Sequence, residues 1–274
     1  WIKILIPISW IYRFLFKIFR RRNLASAWKP EFKTIVIGNL TVGGTGKTPL
    51  VIWLANELKK EGFYPGIVSR GYKALANKNP NLINQNSNPS DVGDEPLIIF
   101  NNTNCPVVVG SNRVEAAKFL IDNKHCDVLI SDDGLQHFKL GRDIEIAMID
   151  GLRKFGNNLL LPAGPLREPI KRLNQVDFVI NTNSFYSEEA EAKDNNFLMT
   201  YKPISWVNLV TQESIDVNDW SKDKIVYGIA GIGNPSSFFS LLRSLDFQVI
   251  EKVFPDHHEF IDTDFFEMND LPIV

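Results

Sequence analysis

Residues 38–49 read GNLTVGGTGKTP and follow directly on the apolar run at residues 34–37. That run is rich in β-branched side chains, which favours a β-strand. After the glycines, Leu50, Leu54 and Leu58 recur at helical spacing. The stretch therefore predicts a strand, a glycine-rich turn and a helix, in that order.

The glycines of this turn let the backbone fold around an anion, with its N–H groups pointing inward at the start of a helix. Lys47 is placed to reach the β- and γ-phosphates of a nucleotide, and Thr48 to offer its hydroxyl to Mg2+. Thr41 stands where the usual GxxxxGK[ST] pattern has its first glycine, so the loop departs from the strict form. The predicted ATP-binding residues are Thr41, Gly43, Gly44, Thr45, Gly46, Lys47 and Thr48.

A loop of this kind needs a metal-binding carboxylate at the end of a neighbouring strand. The apolar run at residues 128–130 leads directly to Asp132 and Asp133. Two adjacent carboxylates repel each other unless a cation or a donor lies between them. The pattern favours a metal site, and a simple surface turn stays open as the alternative.

Two further acidic residues, Asp94 and Glu95, lie in the segment DVGDEP at residues 91–96. Phosphoryl transfer to an alcohol uses a carboxylate that orients the hydroxyl and accepts its proton. Considered alone, such a pair in a polar loop is most often part of a solvated surface.

The N-terminal residues 1–22 contain six basic residues and no acidic one. No uncharged run approaches the ~20 residues that a membrane-spanning helix needs. An apolar stripe is formed by Ile11, Phe14, Leu15 and Ile18, and a basic stripe by Arg13, Lys17 and Arg20. The pattern predicts an amphipathic helix on an anionic membrane surface; the alternative is a helix packed on its own domain.

The chain has 274 residues, of which 44% are hydrophobic and 23% charged, and its net charge is −2. A charge so close to zero gives the whole molecule no field that would select nucleic acid. The sequence indicates neither a nucleic-acid partner nor an obligate protein partner.

Strand and helix patterns alternate along most of the chain, which predicts an α/β fold with a mainly parallel sheet, as in P-loop NTPases. Further strand candidates lie at residues 67–69, 107–109, 144–149 and 178–181. We divide the chain into the helix at 1–22, a kinase domain at 23–196, a two-stranded ribbon linker at 197–212 and a smaller α/β domain at 213–274.

Six segments, in this order, resemble the tetraacyldisaccharide 4'-kinase family: GNLTVGGTGKTP, SRGY, DVGDEP, SDDGLQH, LLPAGPLREP and FPDHH. They span the chain from about residue 35 to His258. The loop of that family has the same departure at the position of Thr41. The basic, aromatic N-terminus is also similar to the membrane-docking helix of that family.

The resemblance implies transfer of the γ-phosphate of ATP to the 4'-hydroxyl of the lipid A disaccharide precursor. The reaction is implied to take place at the cytoplasmic face of the inner membrane, with the protein bound peripherally. Carried over, Asp132 and Asp133 belong to the Mg2+ site with Glu95 as a helper. Asp94 matches the catalytic base, paired with His257 or His258, of which we favour His258.

Three arginines in or beside glycine-containing segments, Arg70, Arg113 and Arg167, are candidates for gripping phosphate oxygens. An ordinary surface or ion-paired role is the alternative for each. Two other functions stay open from the residues alone. One is a membrane-bound P-loop ATPase or GTPase switch, although the chain lacks an NKxD-type guanine motif. The other is a kinase of a soluble small molecule, against which the N-terminal helix argues.

Overall fold

The computed structural model describes residues 2–71, 80–182, 195–256, 258–266, 268 and 271–274. The chain forms two compact units, the first ending at Met199 and the second beginning at Thr200.

The first unit contains the large sheet and most of the helices. Its helices are α1 (Ile2–Ala25), α2 (Lys47–Lys60), α3 (Pro89–Val92), α4 (Asp94–Thr103) and α5 (Arg113–Asn123), with a 3-10 helix at Ile170–Gln175. Its strands are β1 (Lys33–Asn39), β2 (Pro65–Ser69), β3 (Asn81–Leu82), β4 (Val107–Val109), β5 (Val128–Ser131), β6 (Ile144–Asp150), β7 (Phe178–Thr182) and β8 (Asn196–Met199).

The eight strands form one sheet in the order β3-β4-β2-β5-β1-β6-β7-β8. Every neighbouring pair runs parallel except β3 with β4. The predicted α/β class with a large parallel sheet is confirmed. Each strand predicted from an apolar run occurs, and β4 begins and ends at the predicted residues.

Neighbouring residues of the inner strands face opposite sides of the sheet, and both sides are covered. Ile67 and Ile130 pack on the face that carries α2 and α4, whereas Val68 and Leu129 pack on the face that carries α5. All four side chains are fully buried. Burial on both faces explains why these strands read as continuous apolar runs rather than as alternating ones.

The strand order fixes where the candidate site lies. In the sheet, β1 lies between β5 and β6, and β2 is the next neighbour of β5. Because parallel strands end at the same edge of a sheet, the residues that follow β1, β2 and β5 meet there. Ligands bind at this edge in open α/β sheets.

The second unit is smaller. Its elements are β9 (Ser205–Val207), β10 (Ser214–Asp216), β11 (Ile225–Ala230), α6 (Pro235–Ser244) and β12 (Gln248–Val253), with 3-10 helices at Val217–Asp219 and Asp262–Phe265. Strands β11 and β12 pair in parallel, and α6 connects them. Val226, Leu242 and Phe247 form its core, with Trp206 and Trp220 packed against them.

The ribbon predicted at residues 197–212 is displaced in the structure. Residues 197–199 belong to β8, where Phe197 pairs with Ile180 of β7 at the sheet edge. The antiparallel ribbon is instead made by β9 and β10. The sequence shows an extended segment here, but strand pairing with a distant part of the chain leaves no local signal.

Helix α1 contacts the rest of the first unit through polar and aromatic side chains. Ser9 Oγ donates to the carbonyl of Leu160 at 2.9 Å, and the Tyr12 hydroxyl donates to that of Arg167 at 2.9 Å. Arg20, which belongs to the predicted basic stripe, donates to the Gln175 side chain at 2.8 Å. In the part of the chain that the structure describes, no helix is both long enough and apolar enough to span a bilayer.

Gly134, after β5, has no room for a side chain. A Cβ there would lie 2.5 Å from Ser131 Oγ and 2.9 Å from Val36 Cγ1, and both neighbours are fully buried. We expect Gly134→Ala to lower the free energy of unfolding by about 1–3 kcal/mol, measured by urea denaturation. At Gly44, where a Cβ meets no described atom within 4 Å, the same change serves as the control. Equal stability of both variants would contradict the packing described here.

Candidate active site

The loop between β1 and α2 has the backbone of an anion cradle. Gly43 and Gly46 have φ values of 96° and 77°, where any other residue is strained. The first N–H groups of α2 have no partner within the helix and point toward the loop, as at any helix start. The predicted phosphate-binding residues therefore lie on one turn at the edge of the sheet.

Two side chains, at the ends of β1 and β7, brace this loop. Asn39 at the end of β1 donates from Nδ2 to the carbonyl of Gly43 at 3.1 Å. The hydroxyl of Thr182, at the end of β7, donates to the carbonyl of Thr45 at 3.4 Å. Both donors are fully buried. The loop is thus held in shape by the strands beneath it.

An arginine that the sequence did not single out touches the same loop from outside. The Arg153 guanidinium donates to the carbonyl of Gly44. Its Nε lies 3.0 Å from the Asp150 carboxylate, which is itself buried at the end of β6. The other oxygen of Asp150 accepts the N–H groups of Leu152 and Arg153, at 3.0 and 3.1 Å.

Asp132 lies directly after β5 and is almost fully buried, with 2% of its surface exposed. Its Oδ2 accepts a hydrogen bond from Ser69 Oγ at 2.8 Å. Its Oδ1 is buried and has no hydrogen-bond partner among the described residues. Burial raises the pKa of Asp132, and the positive charge of Lys47 opposes that rise.

Asp133 adopts a left-handed backbone, with φ of 46°, which is uncommon outside functional sites and turns. Its carboxylate lies 3.6 Å from Lys47 Nζ and 3.3 Å from Arg167 Nη1. Burial on its own raises the pKa of Asp133, but the charges of Lys47 and Arg167 outweigh it and lower the pKa. The group is therefore ionised at neutral pH.

The three candidate arginines occupy different environments. Arg167 is half-buried and contacts Asp133 as well as Gln136 Oε1 at 3.2 Å. Arg70 is exposed just after β2. Arg113 is buried and donates to the carbonyls of Gly110 and Asp132, at 2.6 and 3.1 Å, and burial lowers its pKa to about 10. Arg113 thus supports the peptide that carries Asp132, whereas Arg167 contacts the side chain of Asp133.

Asp94 and Glu95 form the first turn of α4 and are exposed. The sequence placed them in a loop, but the helix begins at Asp94 because Gly93, with φ of 88°, separates α3 from α4. A carboxylate is stabilised at a helix N-terminus. The base predicted for the reaction is thus held on a regular element.

His258 follows β12 in the second unit and is half-buried. Its ring stacks on Phe254, with centroids 4.7 Å apart, and Nε2 lies 2.9 Å from Asp264 Oδ2. His257 lies outside the described residues. The pairing of Asp94 with His258 joins residues of two separately described units and stays a prediction.

A family model, LpxK, described as tetraacyldisaccharide-1-P 4'-kinase, matches residues 1–272. The chain belongs to this kinase family. A tetraacyldisaccharide 4'-kinase of Legionella pneumophila strain Corby is 44% identical over 273 residues, which cover 99% of this chain and 81% of the relative. That of Coxiella burnetii strain RSA 331 is 45% identical over 266 residues, covering 96% and 76%.

A solved structure has the same fold. The crystal structure of LpxK from Aquifex aeolicus in complex with ATP aligns with a TM-score of 0.75 and 28% identity, over 95% of this chain and 84% of that one. The resemblance found in the sequence and the prediction of a kinase are both confirmed.

In this family member, a buried network of charges lies behind the two aspartates. Gln136 donates from Nε2 to Glu168 at 2.8 Å and to the carbonyl of Asn39 at 3.1 Å. Glu168 is 1% exposed and its other oxygen lies 3.4 Å from Arg172 Nε. Burial raises the pKa of Glu168. Gln136 therefore connects the network to β1, to Glu168 and, through its Oε1, to Arg167.

The network continues to the loop that follows Asp133. Arg172 also pairs with Glu145, which lies 3.0 Å from Arg142. Arg142 donates to the carbonyls of Leu135, His137 and Leu140, at 3.0, 2.6 and 3.2 Å. A single guanidinium thus fixes the path of the chain just beyond Asp133.

A cavity of about 340 Å³ lies between α1 and residues 136–140. Among its lining residues are Phe19, Asn23, Asn112, Arg113, Gln136 and His137. Burial lowers the pKa of His137 to about 4, and the charge of Arg113 adds to the effect. His137 is therefore neutral at pH 7 and can donate or accept a hydrogen bond toward this cavity.

Sequence reasoning missed several supporting residues: Asn39, Ser69, Gln136, Arg153, Glu168, Arg172, Thr182 and Asp264. Gln136 and Glu168 lie inside motifs that the resemblance already used, so their positions carried a signal. Arg153 and Thr182 carried none, because their partners are more than a hundred residues away in the chain.

The buried network predicts that loss of a positive charge lowers the free energy of unfolding far more at position 172 than at the adjacent position 171. Arg172 is 5% exposed, while Lys171 is exposed. We expect Arg172→Met to lower the free energy of unfolding by about 3 kcal/mol, because it leaves Glu145 and Glu168 buried with fewer partners. Lys171→Met, the same loss of charge at the surface, should change it by less than about 0.5 kcal/mol. Similar urea midpoints for both variants would contradict the role assigned to Arg172.

Proposed function

We propose that this kinase transfers the γ-phosphate of ATP to the 4'-hydroxyl of tetraacyldisaccharide 1-phosphate, the lipid A disaccharide precursor. One observation carries the proposal: the phosphate loop brings Lys47 to 3.6 Å from Asp133 in a chain that matches the kinase family over residues 1–272. The acceptor is the tetraacyldisaccharide for which the family and the relatives are named.

ATP is the proposed donor, with its β- and γ-phosphates at residues 41–48. The positive φ values of Gly43 and Gly46 and the exposed N–H groups at the start of α2 suit an anion. The related Aquifex aeolicus protein was crystallised with ATP. Lys47 then supplies the charge that the transferred phosphate requires.

The residues at this edge also fit Mg2+, which prefers carboxylate and hydroxyl oxygens. Asp132 Oδ1 is buried with no partner among the described residues, and Asp133 is ionised. Thr48, the second residue of α2, offers a hydroxyl, and Glu95 at the start of α4 is the proposed helper. When bound, Mg2+ neutralises charge on the phosphate oxygens.

In the proposed reaction, Asp94 accepts the proton of the 4'-hydroxyl, and that oxygen forms a bond to the γ-phosphorus. The bond between the γ-phosphorus and the bridging oxygen of ATP breaks, and ADP leaves. Lys47 stabilises the negative charge on the transferred group, and Arg70 and Arg167 are candidates for contacting phosphate oxygens. His258 is the proposed partner of Asp94.

The N-terminal helix suits an anionic membrane surface, which we propose as the place where the lipid is met, on the cytoplasmic face of the inner membrane. It exposes large apolar side chains away from the cavity: Ile2, Ile4, Ile8, Trp10, Ile11, Phe14, Leu15 and Ile18. Exposed basic residues lie among them: Lys3, Arg13, Lys17, Arg21 and Arg22. Apolar and basic groups on one helix are typical of peripheral membrane binding.

The cavity beside α1 supports the same substrate. Gln136 and His137 line it, only three and four residues beyond Asp133. Phe19 and Asn23 bring the membrane-facing helix to its opposite side. A sugar headgroup held there can leave its acyl chains beside α1. A soluble acceptor would leave the exposed apolar face of α1 without a purpose.

The test is transfer of radiolabelled γ-phosphate from Mg-ATP to tetraacyldisaccharide 1-phosphate in detergent micelles. We expect label in the lipid, and a fall of at least ~100-fold in Asp94→Ala, the scale of losing a general base. Asp91→Ala is the matched control, since Asp91 is an exposed aspartate on the neighbouring helix α3.

Two other outcomes of this assay would change the proposed function. ATP hydrolysis with no label in the lipid would favour the ATPase or GTPase switch. Label in the lipid at equal rates for the parent and Asp94→Ala would keep the kinase and remove the role of Asp94 as base.

A further inference from the structure

The ring of His258 is held in one orientation by aromatic neighbours. Phe254 stacks on it at 4.7 Å with an interplanar angle of 26°, and Phe260 meets its edge at 5.0 Å and 86°. Both phenylalanines also contact each other, at 5.2 Å. A histidine enclosed in this way has little freedom to rotate, so its two nitrogens point in fixed directions.

One of those nitrogens has a charged partner. His258 Nε2 lies 2.9 Å from Asp264 Oδ2, and the same oxygen accepts the backbone N–H of Ile261 at 2.9 Å. Asp264 lies in the 3-10 helix Asp262–Phe265, and its side chain is 16% exposed. The carboxylate is thus fixed from its own helix and from the imidazole.

The hydrogen bond between His258 and Asp264 determines which nitrogen of the imidazole ring carries the proton. The Ile261 N–H and His258 lower the pKa of Asp264, so its carboxylate is ionised at neutral pH and can only accept hydrogen bonds. Nε2 must therefore carry a hydrogen. In the neutral ring this leaves Nδ1 as the acceptor.

We propose that Asp264 is a positioning residue for phosphoryl transfer, which orients His258 and keeps its proton on Nε2. The proposal rests on the function proposed above, in which His258 is the partner of Asp94. The proton taken by Asp94 from the 4'-hydroxyl then has an acceptor, His258 Nδ1. The imidazolium that forms keeps Nε2–H on Asp264, which balances its charge; an analogous carboxylate supports histidine in hydrolase triads.

Asp264→Asn separates this role from a purely structural one. Because Oδ2 of Asp264 accepts both hydrogen bonds, the single oxygen of asparagine can keep the Ile261 N–H and the Nε2–H. The variant removes only the negative charge that balances the imidazolium. We expect kcat to fall by roughly 100-fold or more, with the KM values for ATP and lipid within about twofold of the parent, since the binding groups are unchanged.

Two further variants sharpen the comparison. Asp262→Asn changes an exposed aspartate of the same short helix and should keep the activity of the parent. Asp264→Glu keeps a carboxylate and should recover part of the turnover lost in Asp264→Asn. All variants are compared in the full chain, with melting temperatures measured alongside.

Nitrogen-15 NMR of the imidazoles gives a readout that stability alone does not move. The His258 signals, assigned by their loss in His258→Gln, should show hydrogen on Nε2 in the parent and also in Asp264→Asn, so that the loss of kcat in this variant is due to the lost charge and not to a disordered ring. Adding Asp264→Asn to His258→Gln should cause no further loss of kcat, since both changes remove one function.

The outcomes separate the two proposals. If His258→Gln keeps the kcat of the parent, His258 has no part in the reaction and both the pairing with Asp94 and the role of Asp264 fall. If His258→Gln is impaired while Asp264→Asn keeps the kcat of the parent, only the role of Asp264 falls. An equal loss of kcat and melting temperature in Asp264→Asn and Asp264→Glu, with the hydrogen lost from Nε2 in both, would show a structural role and overturn the proposal.

Discussion

The contact between Lys47 and Asp133 is the interaction on which the candidate active site depends. Lys47 begins α2 after β1, and Asp133 follows β5, so the contact joins the ends of two adjacent parallel strands. It requires a positive φ at Gly46 and at Asp133, which most sequences avoid. The sheet supplies the proximity, and the local backbone supplies the direction of each side chain.

Lys47 and Asp133 do not form an isolated ion pair, because neighbouring polar residues also contact the two aspartates. Arg167 shares Asp133, and Ser69 holds one oxygen of Asp132 while the other has no partner among the described residues. Behind them, buried charges fix the loop after Asp133 through its carbonyl groups. An array of polar groups held in advance costs little reorganisation when a charged ligand enters, which is the basis of electrostatic catalysis.

Much of this could be predicted from the sequence, for identifiable reasons. The strands could be predicted from apolar runs. The residues just after them could be grouped into one site because parallel strands end at the same edge of a sheet. The bounds of the ribbon could not be predicted, because residues 197–199 pair with β7, a strand from an earlier part of the chain. The burial of Arg113, the side-chain hydrogen bond of Arg20 and the bond between Asp264 and His258 were also missed, since each depends on packing that no local spacing shows.

The most direct test of the central claim is ATP binding measured by titration calorimetry with and without Mg2+, in the parent and in Asp133→Asn. The account predicts that Mg2+ tightens ATP binding by the parent, and that Asp133→Asn weakens this gain by more than about tenfold. ATP binding without the metal should persist in the variant, because the loop at residues 41–48 is intact. An unchanged Mg2+ effect in Asp133→Asn would contradict the account.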